Sequence, residues 1–442
     1  MKTPIYDFLA SFAEGDPVRL HMPGHKGVGK LGERFDITEV SGADSLYGAD
    51  GIIKESEDIA SELFGSRTYY STEGSSLSIR AMLHLAAVYA RSRGIRPRVL
   101  AGRNAHKVFI SAAALIDFDI EWLGCEESYL TCSVSAEDIR ARLSCSGEPV
   151  SAVYLTSPDY LGNTVNIKEI AEACHDFGVL LLVDNAHGAY LKFLPESLHP
   201  IDLGADMCAD SAHKTLPVLT GGAYLHISNS LPTFFHENAK SALSLYGSTS
   251  PSYLILASLD LANGSISRER IAATCELARS LKERLFALGF ELSGDEPLKI
   301  TLCPKSYGYL GTELSALLEA EGIFPEFADP DNIVFMLSER TGEWELSRLC
   351  EVLSALPRRS PIAECSPRLS LPERVMSPRE AIYSPSESIS LPEAEGRILA
   401  AVSVGCPPAV PIVVSGERID RGAIRAMEYY GIERLSVVKE EL

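Results

Sequence analysis

The tetrapeptide Ser211-Ala-His-Lys214 combines groups that suit an aldehyde cofactor carrying a phosphate. A lysine amine can form a Schiff base with an aldehyde, and neighbouring hydroxyl and imidazole groups can donate hydrogen bonds to a phosphate. Residues 205–210 predict a strand, so we expect Lys214 in a loop that follows it. Most lysines are solvated surface residues, and the motif alone does not separate the two interpretations.

The pentapeptide Asp184-Asn-Ala-His-Gly188 places a carboxylate at the end of another predicted strand. Such a carboxylate can pair with a protonated pyridine nitrogen, raise the pKa of that nitrogen and keep the ring electron-poor. An aspartate at a strand end can also simply begin a turn. Asp184 lies about thirty residues before Lys214, and both follow strands of one predicted sheet, which favours a cofactor site.

Two further segments open predicted helices. Gly74-Ser-Ser76 begins one of them, where free backbone N–H groups and the helix dipole favour a phosphate. A serine there can also act only as an N-cap. Asn104-Ala-His-Lys107 opens the other, and the ring of His106 can either stack on a flat cofactor or form a structural hydrogen bond.

The first half of the chain alternates short apolar runs with helical patterns, which is typical of βαβ units around a mainly parallel sheet. Asn166 is a suitable N-cap for a helix over residues 167–177, and Gly178 can end that helix. The apolar run 179–183 then predicts a strand buried on both faces. The other predicted strands span 98–101, 152–155 and 223–227, and the other predicted helices span 75–91 and 268–288. We therefore predict an α/β fold.

The pattern changes along the chain and predicts three domains. Residues 1–265 form a large α/β domain with an N-terminal arm, and residues 266–360 form a smaller α+β domain. Residues 361–442 form a C-terminal segment. A stretch rich in proline and serine, residues 356–392, has little periodicity and predicts a linker to the last piece.

Composition excludes several classes of protein. The 442 residues carry a formal charge of −20 and show no basic patch, which argues against a nucleic-acid partner. The longest apolar runs are far shorter than the roughly 20 residues of a membrane span, and the N-terminus does not resemble a signal peptide. Ten cysteines lie scattered without zinc-ligand spacing, so we expect reduced thiols, no metal and a cytoplasmic location.

Taken in order, these motifs resemble the ornithine/lysine/arginine decarboxylase family of pyridoxal-phosphate (PLP) enzymes, whose large domain has the aspartate-aminotransferase fold. The resemblance runs nearly end to end and is closest to the shorter bacterial members, which lack an extra N-terminal domain. Besides the motifs above, the matching segments are His21-Met-Pro-Gly-His-Lys-Gly27, Gly51-Ile-Ile-Lys-Glu55, Phe64-Gly65, Ser157-Pro-Asp-Tyr-Leu-Gly162, Ser248-Thr-Ser-Pro-Ser-Tyr253, Leu256-Ala-Ser-Leu-Asp260, Ser377-Pro-Arg-Glu-Ala381 and Gly396-Arg-Ile398.

The resemblance implies a role for each candidate residue. Lys214 is the implied Schiff-base lysine and the proton donor to the product carbanion. Asp184 is implied to pair with the pyridine nitrogen, while His106 stacks on one ring face and Ala186 packs on the other. His187 is expected in the active site, in a role that the resemblance does not define. The implied phosphate ligands are Ser75, Ser76, Ser211 and His213, with Ser248 reaching the phosphate of a neighbouring subunit.

This chain departs from the family pattern at three places. Asn185 stands where the family usually has glutamate, and Val108 stands where it usually has serine. Cys406-Pro-Pro-Ala409 replaces a Tyr-Pro-Pro-Gly motif that lies near the substrate side chain in relatives. The substrate therefore remains open. A cationic side chain needs a carboxylate partner on burial, and Glu417 is a candidate, with a solvated surface glutamate as the alternative.

The implied reaction is decarboxylation of arginine, lysine or ornithine to the matching amine. After exchange at Lys214, the α-carboxylate leaves as CO2 and Cα is protonated. Other PLP chemistry, such as amino transfer or carbon–sulfur cleavage, stays open, although no arginine that would clamp a transaminase substrate is identifiable. A cofactor-binding protein without activity is a third possibility. The family's shared sites imply a homodimer or a higher even oligomer.

Overall fold

The computed structural model describes residues 2–123, 133–405 and 410–440. The helices of these residues are α1 Pro4–Glu14, α2 Ile52–Phe64, α3 Gly74–Ser92, α4 Lys107–Ile116, α5 Ala136–Cys145, α6 Ile167–His175, α7 Ala212–Thr215, α8 Thr233–Tyr246, α9 Tyr253–Ser265, α10 Arg268–Leu288, α11 Gly311–Ala320, α12 Glu343–Ala355, α13 Pro378–Tyr383 and α14 Arg421–Tyr429.

The strands alternate with these helices in the first half of the chain, as a βαβ pattern requires. They are β1 Arg67–Ser71, β2 Arg98–Gly102, β3 Asp119–Leu123, β4 Ala152–Thr156, β5 Leu180–Asp184, β6 Met207–Asp210, β7 Ala223–Ile227, β8 Glu291–Ser293, β9 Lys299–Cys303, β10 Phe327–Ala328, β11 Ile333–Met336, β12 Ser386–Ser390, β13 Ser403–Gly405, β14 Pro411–Val414 and β15 Arg434–Val438.

The chain divides into two compact units, and each unit is discontinuous. Unit 1 contains residues 1–94 and 180–269, and unit 2 contains residues 95–179 and 270–442. The predicted domains 1–265, 266–360 and 361–442 are a different division of the chain and stay a prediction.

Unit 1 contains four neighbouring strands in the order β1-β7-β6-β5. β5 and β6 are parallel, with Asp184 opposite Ala209, whereas β7 is antiparallel to both β6 and β1. α3 packs on β6 and β7, and α8 packs on α3. All residues of β6 and β7 are buried, so both faces of these two strands are covered. The motif Asp184–Gly188 begins at the end of β5, and the motif Ser211–Lys214 directly follows β6.

Unit 2 contains the parallel neighbours β4-β2-β3 and three small antiparallel sheets. The largest of these has the order β10-β11-β9-β8, and the other two pair β12 with β15 and β13 with β14. Around β14 and α14, a separate hydrophobic core collects Leu399, Ile412, Ile419, Met427 and Val437.

The predicted architecture is confirmed: the fold is α/β, with a large, mostly parallel sheet and smaller antiparallel sheets. Asn166 caps α6 by accepting the backbone N–H of Glu169 at 3.3 Å, and Gly178 adopts a φ of 65° just beyond the helix. The predicted linker is only partly irregular, because α13 and β12 lie within residues 356–392. Among the described residues, no helix has the length and apolar composition needed to cross a bilayer.

Candidate active site

The start of α3 forms the end of the candidate site that contains the predicted phosphate ligands, in unit 1. Gly74 is the first residue of the helix and adopts a φ of 71°, while its N–H donates to the carbonyl of Gly221 at 2.7 Å. Ser75 and Ser76 therefore occupy the first turn, where backbone N–H groups lack helical partners. The Ser211 hydroxyl donates to Ser75 Oγ at 2.7 Å. Two predicted phosphate ligands from distant parts of the sequence thus lie side by side.

Lys214 lies in α7, a single helical turn that follows β6 directly, rather than in the predicted loop. Its half-buried side chain places Nζ 2.8 Å from Nε2 of the buried His187. An ammonium has only donors, so a charged Lys214 makes His187 Nε2 the acceptor. The structure brings together a lysine and a histidine that lie 27 residues apart in the sequence.

His213 points back to the loop between α7 and β7. Its Nδ1 lies 3.0 Å from the carbonyl oxygen of Gly222, and its backbone N–H donates to the same oxygen at 3.1 Å. A carbonyl can only accept, so Nδ1 carries a proton. If the His213 ring is neutral, Nε2 carries no proton and can only accept a hydrogen bond.

Asp184 is the last residue of β5 and is buried, with only 2 % of its surface exposed. Its Oδ1 accepts the N–H of Ala186 at 3.2 Å, which holds the carboxylate against the turn that follows the strand. Gly188 closes this turn by donating its N–H to the carbonyl of Asn185 at 2.8 Å. A Cβ at Gly188 would lie 2.0 Å from Asn185 Oδ1, so a larger residue there would have to displace the Asn185 side chain.

Asn185, one of the departures from the family pattern, has a specific partner. Its amide Nδ2 donates to Oδ1 of the buried Asp210 at 2.7 Å. The other oxygen of Asp210 contacts His199 Nε2 at 3.0 Å and His226 Nε2 at 3.3 Å. Burial opposes ionisation, but the two imidazoles outweigh it, and the pKa of Asp210 lies below its usual range. A glutamate at position 185 would place a second carboxylate beside this ionised one.

Ser248 is exposed and lies near the start of α3 in its own chain. Its N–H donates to Glu73, the residue that precedes Gly74, and its hydroxyl accepts the N–H of Ser250 at 3.1 Å. The predicted contact between Ser248 and the phosphate of a neighbouring subunit stays a prediction.

His106 belongs to unit 2, where it is the N-cap of α4. Its Nδ1 accepts the backbone N–H of Val108 at 3.2 Å, so this nitrogen is unprotonated and the proton of a neutral ring lies on Nε2. The structural hydrogen bond that the sequence left as an alternative is therefore formed. It does not conflict with stacking, because only the ring edge takes part.

Glu417, also in unit 2, is neither a surface residue nor an unoccupied carboxylate. It is buried with 1 % exposure, and its Oε1 and Oε2 accept from Nη1 and Nη2 of Arg103 at 2.6 and 2.8 Å. Oε2 also accepts the N–H of Val414 at 2.9 Å. These contacts give no support to a role in binding a substrate cation, since both oxygens already serve a guanidinium. The motif Cys406-Pro-Pro-Ala409 lies outside the described residues.

Sequence reasoning missed Arg103, His199 and His226. Arg103 directly follows β2 but lies 314 residues from Glu417, and no local pattern connects them. Asp210 precedes the lysine motif directly, and that adjacency is the single available signal for the buried cluster around it.

Comparison with known proteins agrees with the motif pattern. Residues 3–288 match the model of the Orn/Lys/Arg decarboxylase major domain, and residues 364–435 match the C-terminal domain of the same family. An arginine decarboxylase of Bacillus subtilis is 30% identical over 95% of this chain and 91% of its own length. An arginine decarboxylase of Halalkalibacterium halodurans is also 30% identical, with the same coverage of both chains.

Solved structures agree in fold. The lysine decarboxylase of Francisella novicida superposes with a TM-score of 0.80 at 17% identity, covering 99% of this chain and 81% of its own. The constitutive lysine decarboxylase of E. coli gives a TM-score of 0.77 at 18% identity, covering 99% and 82%. Family models spanning most of the chain, together with relatives aligned over nearly their whole length, place this protein in the Orn/Lys/Arg decarboxylase family.

Proposed function

We propose that this protein is a PLP-dependent decarboxylase of a basic L-amino acid, with Lys214 as the cofactor lysine. The observation that carries the proposal is the pairing of Lys214 Nζ with His187 Nε2 at 2.8 Å. In the same unit, the buried Asp184 ends the strand next to the one that leads to Lys214. An amine, an imidazole and a carboxylate positioned by two parallel strands fit the chemistry of this family.

The donor set at the start of α3 fits the phosphate of the proposed cofactor. The first-turn N–H groups and the hydroxyls of Ser75, Ser76 and Ser211 would hold it. His213 would add a donor at Nε2 in its imidazolium form, because its Nδ1–H is already bound to the Gly222 carbonyl. Asp184 would hold a proton on the pyridine nitrogen, because a buried carboxylate stabilises a neighbouring cation. PLP, when bound, supplies the electron sink that makes loss of the α-carboxylate possible.

Lys214 and His187 would handle the proton that decarboxylation consumes. Cα gains one proton for each CO2 lost, and we assign its delivery to Lys214 Nζ. His187 Nε2 accepts from this ammonium, so the imidazole would orient the proton donor. We further propose that Ala186 packs on one face of the cofactor ring, whereas the stacking of His106, which belongs to unit 2, stays a prediction from the family resemblance.

The substrate class is inferred from the relatives. The two bacterial proteins at 30% identity that align over nine-tenths of their length are called arginine decarboxylases, and the solved structures are called lysine decarboxylases. We propose a basic L-amino acid, with arginine as the first substrate to test and the corresponding amine as product.

We also propose that the protein is cytoplasmic and acts as a homodimer or a higher even oligomer. Ser248 supports the oligomer because it is exposed and its N–H donates to Glu73, the residue before α3. In the proposed oligomer, this exposed serine would contact the phosphate site of a neighbouring subunit. Sedimentation of the active protein at assay concentration tests this, and a fully active monomer would contradict it.

The experiment that tests the cofactor assignment compares visible spectra. Purified wild type is expected to show the visible absorbance of a lysine-bound cofactor, and Lys214→Ala is expected to lose it while keeping its fold. Lys192→Ala is the control, because Lys192 is a partly buried lysine of the same unit that pairs with Asp202 at 2.6 Å instead. An unchanged spectrum in Lys214→Ala would remove the proposal.

A further inference from the structure

A second cluster of reactive side chains lies in unit 1 and is hydrogen-bonded to Asn185, in the turn that follows Asp184. His199, Cys208, Asp210 and His226 are each fully buried, and their ligand atoms all lie within 4.8 Å of one another. Linear spacing conceals this cluster, because nothing in the order of these residues resembles a zinc motif. The fold therefore brings together four potential metal ligands that are dispersed along the sequence.

The sheet holds three of the four side chains rigidly. Cys208 and Asp210 are alternate residues of β6, so their side chains point to the same face. His226 on β7 lies directly opposite Cys208 in the antiparallel ladder. His199 enters from the segment before β6. The cluster is therefore positioned by backbone hydrogen bonds and not by flexible loops alone.

The separations between ligand atoms suit a tetrahedral metal ion. Asp210 Oδ2 lies 3.0 Å from His199 Nε2 and 3.3 Å from His226 Nε2. Cys208 Sγ lies 3.8 Å from His199 Nε2. The edges of a tetrahedron around zinc are roughly 3.3–3.4 Å between nitrogen and oxygen ligands and about 3.6 Å to a sulfur ligand. The four ligand atoms all lie within 4.8 Å of one another, so metal binding would draw them closer together.

The chemistry of the donors selects the class of metal. Two imidazoles, one thiolate and one carboxylate form a mixed nitrogen, sulfur and oxygen set that zinc favours over magnesium or calcium. Thiolate and carboxylate together contribute two negative charges, which a divalent ion neutralises. That balance matters because a buried site tolerates no uncompensated charge.

Outer contacts orient the ligands. His226 Nδ1 lies 2.9 Å from Thr68 Oγ1, the second hydrogen bond that a metal-bound imidazole usually makes. Asn185 Nδ2 donates to Asp210 Oδ1 at 2.7 Å and leaves Oδ2 facing the imidazoles. His199 Nδ1 has no partner within the described residues, so His199 is the ligand with the least outer support.

We propose that His199, Cys208, Asp210 and His226 bind one divalent metal ion of the zinc class as a structural site. On binding, the Cys208 thiol releases its proton to solvent, and the sulfur, two nitrogens and one carboxylate oxygen form the four bonds to the metal. Four protein ligands leave no open position, so the metal takes no part in catalysis. It joins β6 to β7 just before Ser211 and, through Asn185, fixes the turn that follows Asp184.

Metal content of the full-length protein tests the site. Protein is produced in zinc-supplemented medium and purified without chelators; elemental mass spectrometry should find about one zinc ion per chain, and absorption at the zinc edge one sulfur ligand. Cys208→Ser is expected to lower the zinc content at least tenfold under the same purification. Cys174→Ser, which alters another fully buried thiol, serves as the control and should keep the zinc.

The cofactor spectrum distinguishes failure of this site from failure of the proposed function. Zinc with one sulfur ligand in a protein without cofactor absorbance would support the metal site and reject the cofactor assignment. Folded wild type with less than about a tenth of a zinc ion per chain, both as purified and after refolding with Zn²⁺, would overturn the metal site. So would bound zinc without a sulfur ligand, an outcome that needs no variant to fold.

Discussion

Glu417→Gln removes a charge from the interior of unit 2 while preserving the size of the side chain. In the wild type, Glu417 accepts from both terminal nitrogens of Arg103, and the two side chains are 2 % and 0 % exposed. The guanidinium also lies 4.7 Å from the ring centre of Trp122. The variant leaves the buried guanidinium without this counter-charge, although the amide oxygen can still accept one hydrogen bond.

Breaking a buried ion pair by removing one partner costs about 3–5 kcal/mol of unfolding free energy. We expect the lower end of that range, about 3 kcal/mol, because the glutamine side chain of the variant keeps one acceptor. With a urea dependence of roughly 3 kcal/mol per molar for a unit of this size, the unfolding midpoint should fall by about 1 M. KM for a basic amino acid should change little, because both Glu417 oxygens already accept from Arg103 and Val414.

Tryptophan fluorescence can follow this transition locally. The chain has two tryptophans, and Trp344 is 75 % exposed, so Trp344→Phe leaves Trp122 beside Arg103 as the sole reporter. Glu428→Gln, an exposed change on α14, is the matched control and should shift the midpoint negligibly. Adding Arg103→Gln to Glu417→Gln should destabilise less than the sum of the single changes, because the double variant buries no unpaired charge.

The opposite pattern would refute the reasoning. A wild-type unfolding midpoint in Glu417→Gln, combined with a large rise in KM for the basic substrate, would mean that the carboxylate faces the substrate.

Two further predictions concern carboxylates elsewhere. Asp184→Asn is expected to retain cofactor absorbance but lose turnover by several orders of magnitude, because a neutral amide cannot hold a ring nitrogen protonated; wild-type kcat would contradict this. Burial raises the pKa of Asp329 from its ordinary value of 3.8 to about 6, so the folded protein binds this proton more tightly than the unfolded chain. Stability should therefore fall by roughly 3 kcal/mol as pH rises from about 4 to 6. Asp329→Asn, whose amide oxygen can still accept the N–H groups of Asp331 and Asn332, should remove that part of the pH dependence in urea titrations, and an unchanged dependence would reject it.

Local patterns predicted the elements that carry the site. The Asn166 cap, Gly178 and the apolar run before Asp184 placed α6 and β5 within two residues of their observed ends. Helix capping, helix termination and burial of a strand on both faces depend on a few consecutive residues, so they can be predicted from local sequence. The same holds for the helix that begins at Gly74.

Contacts between distant residues were not accessible in this way. Lys214 lies in one helical turn because its N–H donates to the Ser211 carbonyl. Helix propensity does not distinguish such a four-residue turn from a loop. The partner of Glu417 lies 314 residues away, and nothing near Glu417 indicates whether it is solvated or buried. The grouping of His199 with His226 depends on strand order, which sequence periodicity leaves open.

The central claim is that this protein uses Lys214 to decarboxylate a basic amino acid. The direct measurement supplies purified, PLP-loaded protein with arginine, lysine or ornithine and quantifies CO2 and amine together. We predict equal amounts of CO2 and the matching amine from at least one of the three, and none above background from Lys214→Ala. Absence of CO2 from all three, with transamination or cleavage of a neutral amino acid instead, would contradict the account.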